Sequence, residues 1–162
     1  MIFLHVFINS LKLPSKNALF KLNRLGMDIV VIYMFILLFI VSVPSLIQQI
    51  TTTSGFISEL NLFFLFIYFF IFYYLPLNLI VFSILSLIAY LGKGLAKIMN
   101  RKLRFSILWK MCAFSTTLPF ILYSIIAIFY SLDNIFLSAS ILYTLVLLIK
   151  MISIYPRRRK HS

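Results

Sequence analysis

Long apolar stretches alternate with short polar segments along the whole chain of 162 residues. A helix needs about 20 apolar residues to cross the hydrocarbon core of a bilayer. The apolar stretches that reach this length lie at about residues 29–47, 62–91, 106–130 and 135–155. The pattern predicts an all-α fold in which residues 1–162 form one polytopic membrane domain, a bundle of four transmembrane helices. A lead-in over residues 1–26 precedes the bundle and a tail over residues 156–162 follows it.

The lead-in has the pattern of two short helices. Residues 1–11 are apolar but too short to cross a bilayer, and Pro14 interrupts them. Ser15 stands where it would cap a second helix over residues 16–25. The apolar side of that helix would carry Ala18, Leu19, Leu22 and Leu25, and the other side Lys16, Lys21 and Arg24. Two arrangements fit this amphipathic pattern: an interfacial helix with its apolar side toward lipid, or a helix packed on the bundle.

The second apolar stretch is longer than one span requires. As a helix, residues 62–91 would extend about 45 Å at 1.5 Å per residue, against a hydrocarbon core of about 30 Å. One interpretation is a single helix kinked near Pro76, and the other is two spans joined around Pro76 and Asn78. Two spans would put the basic residues that follow on the external side. The single kinked helix keeps all basic segments on one side, so we predict one helix.

The distribution of charged residues predicts how the set of helices is oriented in the membrane. The chain is 63% hydrophobic and 11% charged, with a net charge of +12. Its fifteen basic residues form three clusters: Lys12, Lys16, Lys21 and Arg24; Lys93, Lys97, Arg101, Lys102, Arg104 and Lys110; and Lys150, Arg157, Arg158, Arg159 and Lys160. Cytoplasmic loops collect Lys and Arg, so the clusters predict that both termini and the central loop lie inside. The basic runs lack a folded domain to present them to nucleic acid, so a nucleic-acid partner is not expected.

Few residues offer catalytic or metal chemistry. The three acidic residues fall at span ends or in a loop: Asp28, Glu59 and Asp133. His5 and His161 stand at opposite ends of the chain, and the single Cys112 excludes an internal disulfide. Proton relays and carboxylate catalysis in membranes usually need an acid deep in a span. We therefore expect no metal, no cofactor and no enzymatic activity.

The glycines of Gly92-Lys93-Gly94 resemble part of a phosphate-binding loop but lack its spacing, its preceding strand and its following Ser or Thr. They are instead expected to loosen the helix where it leaves the bilayer.

Mild polar residues inside the spans admit two interpretations. Pro44, Pro76 and Pro119 each interrupt a different span and free backbone carbonyl groups. A small intramembrane polar pocket would be lined by these prolines together with Asn78, Thr116 and Thr117. The alternative is structural, because small hydroxyl side chains allow close helix packing and bond across helices.

The cationic segments are the most conspicuous features outside the apolar spans. Candidate contacts to anionic lipid or to an acidic partner surface are Lys16, Lys21, Arg24, Lys93, Lys97, Arg101, Lys102, Arg104, Arg157, Arg158, Arg159 and Lys160. They favour a non-enzymatic accessory or regulatory subunit that acts through membrane lipid, another membrane protein or further copies of itself. The alternative is a small oligomeric transporter or channel-like subunit that uses the proline-broken helices.

Two segments resemble a known family. Residues 10–16 (Ser-Leu-Lys-Leu-Pro-Ser-Lys), followed by the amphipathic stretch and Gly26, are similar to the N-terminus of a membrane family of unknown function from Gram-positive bacteria. The run from Arg104-Phe105-Ser106 to Ser115-Thr116-Thr117-Leu118-Pro119 is similar to that family's loop-to-span junction. Some members are described as maltodextrin-utilisation accessory proteins, and the resemblance implies a bacterial cytoplasmic membrane protein. It supplies no catalytic residues. The first external segment, residues 48–61, is short where longer members are expected to carry an extracytoplasmic domain.

Overall fold

A computed structural model describes residues 2–51, 61–129 and 134–156 of the chain. Within these residues the fold is all-α and has no β-strand. Its helices are α1 (Ile2–Leu11), α2 (Lys16–Asn23), α3 (Met27–Thr51), α4 (Leu62–Phe69), a π-helical turn (Phe70–Tyr74), α5 (Leu75–Ile98), α6 (Phe105–Ser115), α7 (Thr117–Phe129) and α8 (Asn134–Ile154).

Three helical segments of the described chain are long and apolar enough to cross a membrane: Met27–Thr51, Phe63–Ile98 and Phe105–Phe129. The fourth predicted span corresponds to α8, Asn134–Ile154, within which the apolar helix Ser138–Ile154 is shorter than these three segments. Large apolar side chains on the outer surface are exposed, among them Phe63 and Leu87. A bundle with an apolar exterior is what a lipid environment requires, so the helical fold is compatible with a membrane protein.

The second apolar stretch forms one continuous helical segment, Phe63–Ile98, rather than two antiparallel spans. Its regular hydrogen bonding changes at a π-helical turn over Phe70–Tyr74, where the backbone N–H of Leu75 donates to the carbonyl of Phe70. Pro76 follows directly, and a proline inside a helix removes one donor and crowds the preceding turn. The wider π turn accommodates that ring without ending the helix.

The third apolar stretch is interrupted close to Pro119, the proline that the sequence predicts to interrupt this span. A turn at Thr116 separates α6 from α7, and Pro119 lies in the first turn of α7. Proline is tolerated at this position because the first N–H groups of a helix have no intrahelical partner. The backbone N–H of Phe120 still donates to the carbonyl of Thr116 at 3.0 Å. The stretch therefore behaves as two helices in series.

The lead-in forms a hairpin of α1 and α2. Ser15 occupies the N-cap of α2 but makes no side-chain capping bond, so its predicted cap is only positional. Ala18, Leu19 and Leu22 are all buried, and both leucines belong to the main core together with Val6 of α1. Of the two arrangements that the amphipathic pattern allows, the structure has α2 packed on the bundle.

The C-terminus of α5 turns sharply and directs the chain into α6. Asn100 has a positive φ of 54°. The N–H of Arg101 donates to the carbonyl of Ala96 at 2.8 Å, and that of Asn100 to Lys97 at 3.1 Å. This pair of bonds is a Schellman motif, in which Asn is one of the few residues that accept the left-handed conformation.

Close approach of α5 to α6 and α8 depends on one glycine. A Cβ atom at Gly92 would lie 2.8 Å from the Cδ2 of Leu148 in α8 and 3.7 Å from the Cδ2 of Leu108 in α6. A Cβ atom at Gly94 would meet nothing within 4 Å. Gly92 thus serves interhelical packing, whereas the sequence predicted that both glycines loosen the helix.

Candidate functional site at the basic end of the bundle

At one end of the bundle, contacts join the first basic cluster, the central basic cluster and the C-terminal end of α8, which carries Lys150 of the third cluster. Lys110, in the central cluster, bonds to the end of α2 in the first cluster. Arg101, also central, bonds to Ser153 at the end of α8, beside the third cluster. Asn23 of α2 and Tyr155 after α8 bond through their side chains. These contacts define what we call the basic end.

Lys110 closes the C-terminus of α2. Its Nζ donates to the backbone carbonyl of Asn23 at 3.1 Å and to that of Leu25 at 2.6 Å. The last carbonyls of a helix lack intrahelical donors and carry the negative end of the helix dipole, so an ammonium group there is favourable. Lys110 itself is half-buried. Its role is to hold the lead-in hairpin against α6.

Arg101 donates to the C-terminal end of α8, as Lys110 does to the end of α2. Its Nη2 donates to the carbonyl of Ser153 at 3.1 Å, in the last turn of that helix. The side chain is half-buried, and its Nε is buried without a hydrogen-bond partner in the described chain. Arg101 was predicted to contact lipid or a partner, but the structure places it in an internal contact between the loop after α5 and the end of α8.

The other predicted contact residues of the described chain remain available at the surface. Seven of these predicted contact residues are exposed, and their side chains make no hydrogen bond or ion pair within residues 2–51, 61–129 and 134–156: Lys16, Lys21, Arg24, Lys93, Lys97, Lys102 and Arg104. The remaining four, Arg157, Arg158, Arg159 and Lys160, lie outside the described residues. The basic end therefore presents cationic side chains from both α2 and the α5–α6 region.

An open groove lies between α1 and α2. It has a volume of about 300 Å³ and is lined by Ile2, His5, Val6, Asn9, Lys21, Leu22 and Leu25. Val6 and Leu22 are each 2% exposed and form an apolar floor. His5 and Lys21 are exposed at its rim. The Nδ2 of Asn9 donates to the carbonyl of His5 at 2.7 Å, which leaves its amide oxygen and second N–H available.

The predicted intramembrane polar pocket is brought together only in part. Thr116 and Thr117 both reach α3: the hydroxyls of Thr117 and Tyr33 are 2.9 Å apart, and Thr116 Oγ1 is 3.9 Å from the sulfur of Met34. Both threonines and Pro119 are buried. This threonine pair bonds α3 to the α6–α7 junction, as hydroxyl groups commonly do between membrane helices.

Asn78 belongs to a different hydrogen-bonded group. Its Nδ2 donates to the carbonyl of Tyr74 at 2.7 Å, while its Oδ1 is buried without a partner in the described chain. The Tyr74 hydroxyl donates to the carbonyl of Phe35 at 2.8 Å. Pro44 and Pro76 are half-buried. None of these bonds reaches the threonine pair, so a continuous polar path through these residues stays a prediction.

In the described segments, no group of three or more His, Cys, Asp or Glu side chains is close enough to hold a metal ion. Cys112 is a free, buried thiol in α6.

Sequence reasoning missed two features of the basic end. The helix-closing role of Lys110 had one signal, a lysine inside an otherwise apolar span. The groove had none, because His5 and Asn9 on α1 become neighbours of Lys21 only when the hairpin closes.

The chain matches the model of a known protein family. The family model described as "Protein of unknown function (DUF1189)" matches residues 56–153, more than half of the chain. That range contains the loop-to-span junction at residues 104–119 and excludes the N-terminal segment at residues 10–16. No curated protein matches the chain, and no solved structure does.

Proposed function

We propose that this chain, which belongs to the family of proteins of unknown function described as DUF1189, is a multi-pass protein of the bacterial cytoplasmic membrane. Four helical segments cross the bilayer, and both termini lie inside. Support comes from three long apolar helices and from basic clusters that meet at one end of the bundle. Positive charge on one side orients membrane helices, so that end faces the cytoplasm.

Cysteine labelling tests the topology. Thr51, at the end of α3, and Lys102, between α5 and α6, are both exposed, whereas the native Cys112 is buried. We expect a membrane-impermeant maleimide to modify Thr51→Cys in intact cells and Lys102→Cys only after permeabilisation. Modification of Lys102→Cys in intact cells would reverse the proposed orientation.

The proposed activity is that of a non-enzymatic accessory or regulatory subunit. One observation carries it: seven exposed cations at the basic end have no partner within the described chain, although Lys110 and Arg101 beside them are used internally. Cations near a membrane surface attract anionic lipid and acidic protein surfaces. The internal cations hold the helix ends, and the exposed ones are left to contact a partner.

Co-purification measures this activity directly. The test variant replaces Lys93, Lys97, Lys102 and Arg104 with Gln, and the control replaces the three lysines with Arg. Each cation near the surface contributes about 1 kcal/mol, and salt screens that attraction. We expect the Gln variant to insert normally but to recover less of a stoichiometric membrane-protein partner at low salt, whereas the control recovers it there and loses it as salt rises.

Two results would contradict the proposed accessory role. Equal recovery of the partner by both variants at all salt concentrations would reduce these cations to topology signals. A homo-oligomer without any partner that supports solute flux in liposomes would instead favour the transporter or channel alternative.

A further inference from the structure

We infer that the groove between α1 and α2 binds the phosphate of an anionic phospholipid, with Lys21, His5 and Asn9 as its polar ligands. The inference deepens the proposed function, on which it rests, by giving the lipid one site. Lys21 and His5 are exposed at the rim, and Asn9 is half-buried between them in the hairpin. Neither the ammonium of Lys21 nor the imidazole of His5 bonds to any residue in the described chain.

Charge complementarity indicates an anion. The polar residues that line the groove are Lys21, His5 and Asn9, whose side chains offer an ammonium, a ring N–H and a second amide N–H, and no carboxylate is among the lining residues. A phosphate oxygen accepts bonds from all three donor types. Arg24 lies one helical turn beyond Lys21 and adds positive potential at the same end of α2.

The apolar lining indicates a lipid rather than a free anion. Ile2, Val6, Leu22 and Leu25 make up more than half of the lining residues, and an inorganic phosphate would leave them uncovered. The outer side of α1 exposes Leu4, Ile8 and Leu11, spaced as one helical stripe. A helix with such a stripe lies at the headgroup boundary, where lipid phosphates are concentrated.

The volume of the groove is similar to that of a phospholipid headgroup. About 300 Å³ is at the lower limit of ligand pockets and holds a phosphate with its glycerol, not a whole lipid. The acyl chains would stay in the bilayer beside α1. Basic pockets on the cytoplasmic side of membrane helices commonly bind headgroups in this way.

Native mass spectrometry of the full chain in detergent, with added phosphatidylglycerol as the probe, tests the site. We expect wild-type protein to retain one phosphatidylglycerol in preference to phosphatidylcholine. Lys21→Gln should weaken this retention on the order of tenfold, the effect of one charged hydrogen bond. Lys16→Gln removes the same charge from the same helix outside the groove, so at 0.15 M salt its retention should change less than about twofold.

A second variant separates the groove from general charge. Asn9→Phe keeps the net charge and fills the space, so it should also abolish selective retention while the melting temperature in detergent stays near that of wild type. Equal loss in Lys21→Gln and Lys16→Gln, or full retention in Asn9→Phe, would overturn the site. Displacement of the lipid by millimolar inorganic phosphate would make it a free-anion site instead.

These measurements distinguish failure of the lipid site from failure of the accessory role. If the partner co-purifies with Lys21→Gln but the lipid does not, both proposals hold. If lipid selectivity is normal and no partner is found with the wild type, only the accessory role fails.

Discussion

Replacing Gly92 with Leu is expected to destabilise the bundle by about 2 kcal/mol, whereas the same change at Gly94 is expected to be neutral or slightly stabilising. At Gly92 the first added carbon already lies 2.8 Å from the Cδ2 of Leu148, and the rest of a leucine must displace α8 or α6. Overpacking a tight contact costs about 1–3 kcal/mol, and the gain in helix propensity of up to about 1 kcal/mol offsets part of it.

Gly94 provides a matched control two residues away in the same helix. A Cβ atom there meets nothing within 4 Å, so Leu is expected to gain helix propensity without the clash that it makes at Gly92. Reversible unfolding of both variants by SDS in mixed micelles would measure the difference. Equal stability of the two variants would show that α5 and α8 are farther apart than the structure has them.

A double-mutant cycle assigns the effect to the named contact. Gly92→Ala adds only the carbon that meets the end of Leu148, a flexible side chain, so its cost alone should be about 1 kcal/mol or less. In a Leu148→Ala background that methyl group is gone, and Gly92→Ala should become favourable. The expected coupling is about 1 kcal/mol, within the range for residues in contact. Strict additivity would place the clash elsewhere.

Replacing Lys110 with Met is expected to release the lead-in hairpin. The variant loses two bonds from the ammonium to the carbonyls of Asn23 and Leu25 while it keeps most of the apolar stem. Hydrogen bonds to a charged group contribute about 1.5–3 kcal/mol, and a helix end without donors leaves carbonyls unsatisfied. We expect a loss of about 2 kcal/mol, concentrated where α2 meets α6.

Limited trypsin digestion in detergent reports this local opening. Lys21 lies in α2 and Arg24 directly after it, and although both are exposed, the other side of α2 is packed, so cleavage requires this end of α2 to detach. A loss of about 2 kcal/mol would raise the population of the open state, and the cleavage rate, by roughly thirtyfold. Lys102→Met is the control, because this exposed lysine makes no bond within the described chain. Similar cleavage after Lys21 and Arg24 in both variants would contradict the role of Lys110.

The helical elements follow closely from the sequence because each is a property of a continuous apolar run. Residues 29–47 predict the body of α3, Met27–Thr51, and residues 62–91 lie within the helical run that begins at Leu62 of α4 and ends at Ile98 of α5. The sequence predicts the positions of helix ends and helix interruptions less precisely. Hydropathy cannot detect the turn at Thr116, since it depends on how local hydrogen bonds close before Pro119 rather than on composition.

The tertiary structure decides which cations form internal hydrogen bonds and which remain exposed. Lys102 and Lys110 look alike in the sequence, as two lysines of one cluster. Only the fold places the carbonyls of Asn23 and Leu25 around Lys110 and leaves Lys102 at the surface. A bond between residues 85 or 87 positions apart has no local signal, because it arises when two distant helix ends meet.

By itself, the sequence determined that the chain is helical, predominantly apolar and charged in three segments, because hydropathy and charge are summed along the chain. Tertiary structure alone decided that α2 packs on the bundle, that Gly92 rather than Gly94 allows close helix approach, and that His5, Asn9 and Lys21 share a groove. The physical reason is that packing and hydrogen bonding depend on distances between helices, which the order of residues along one helix does not specify.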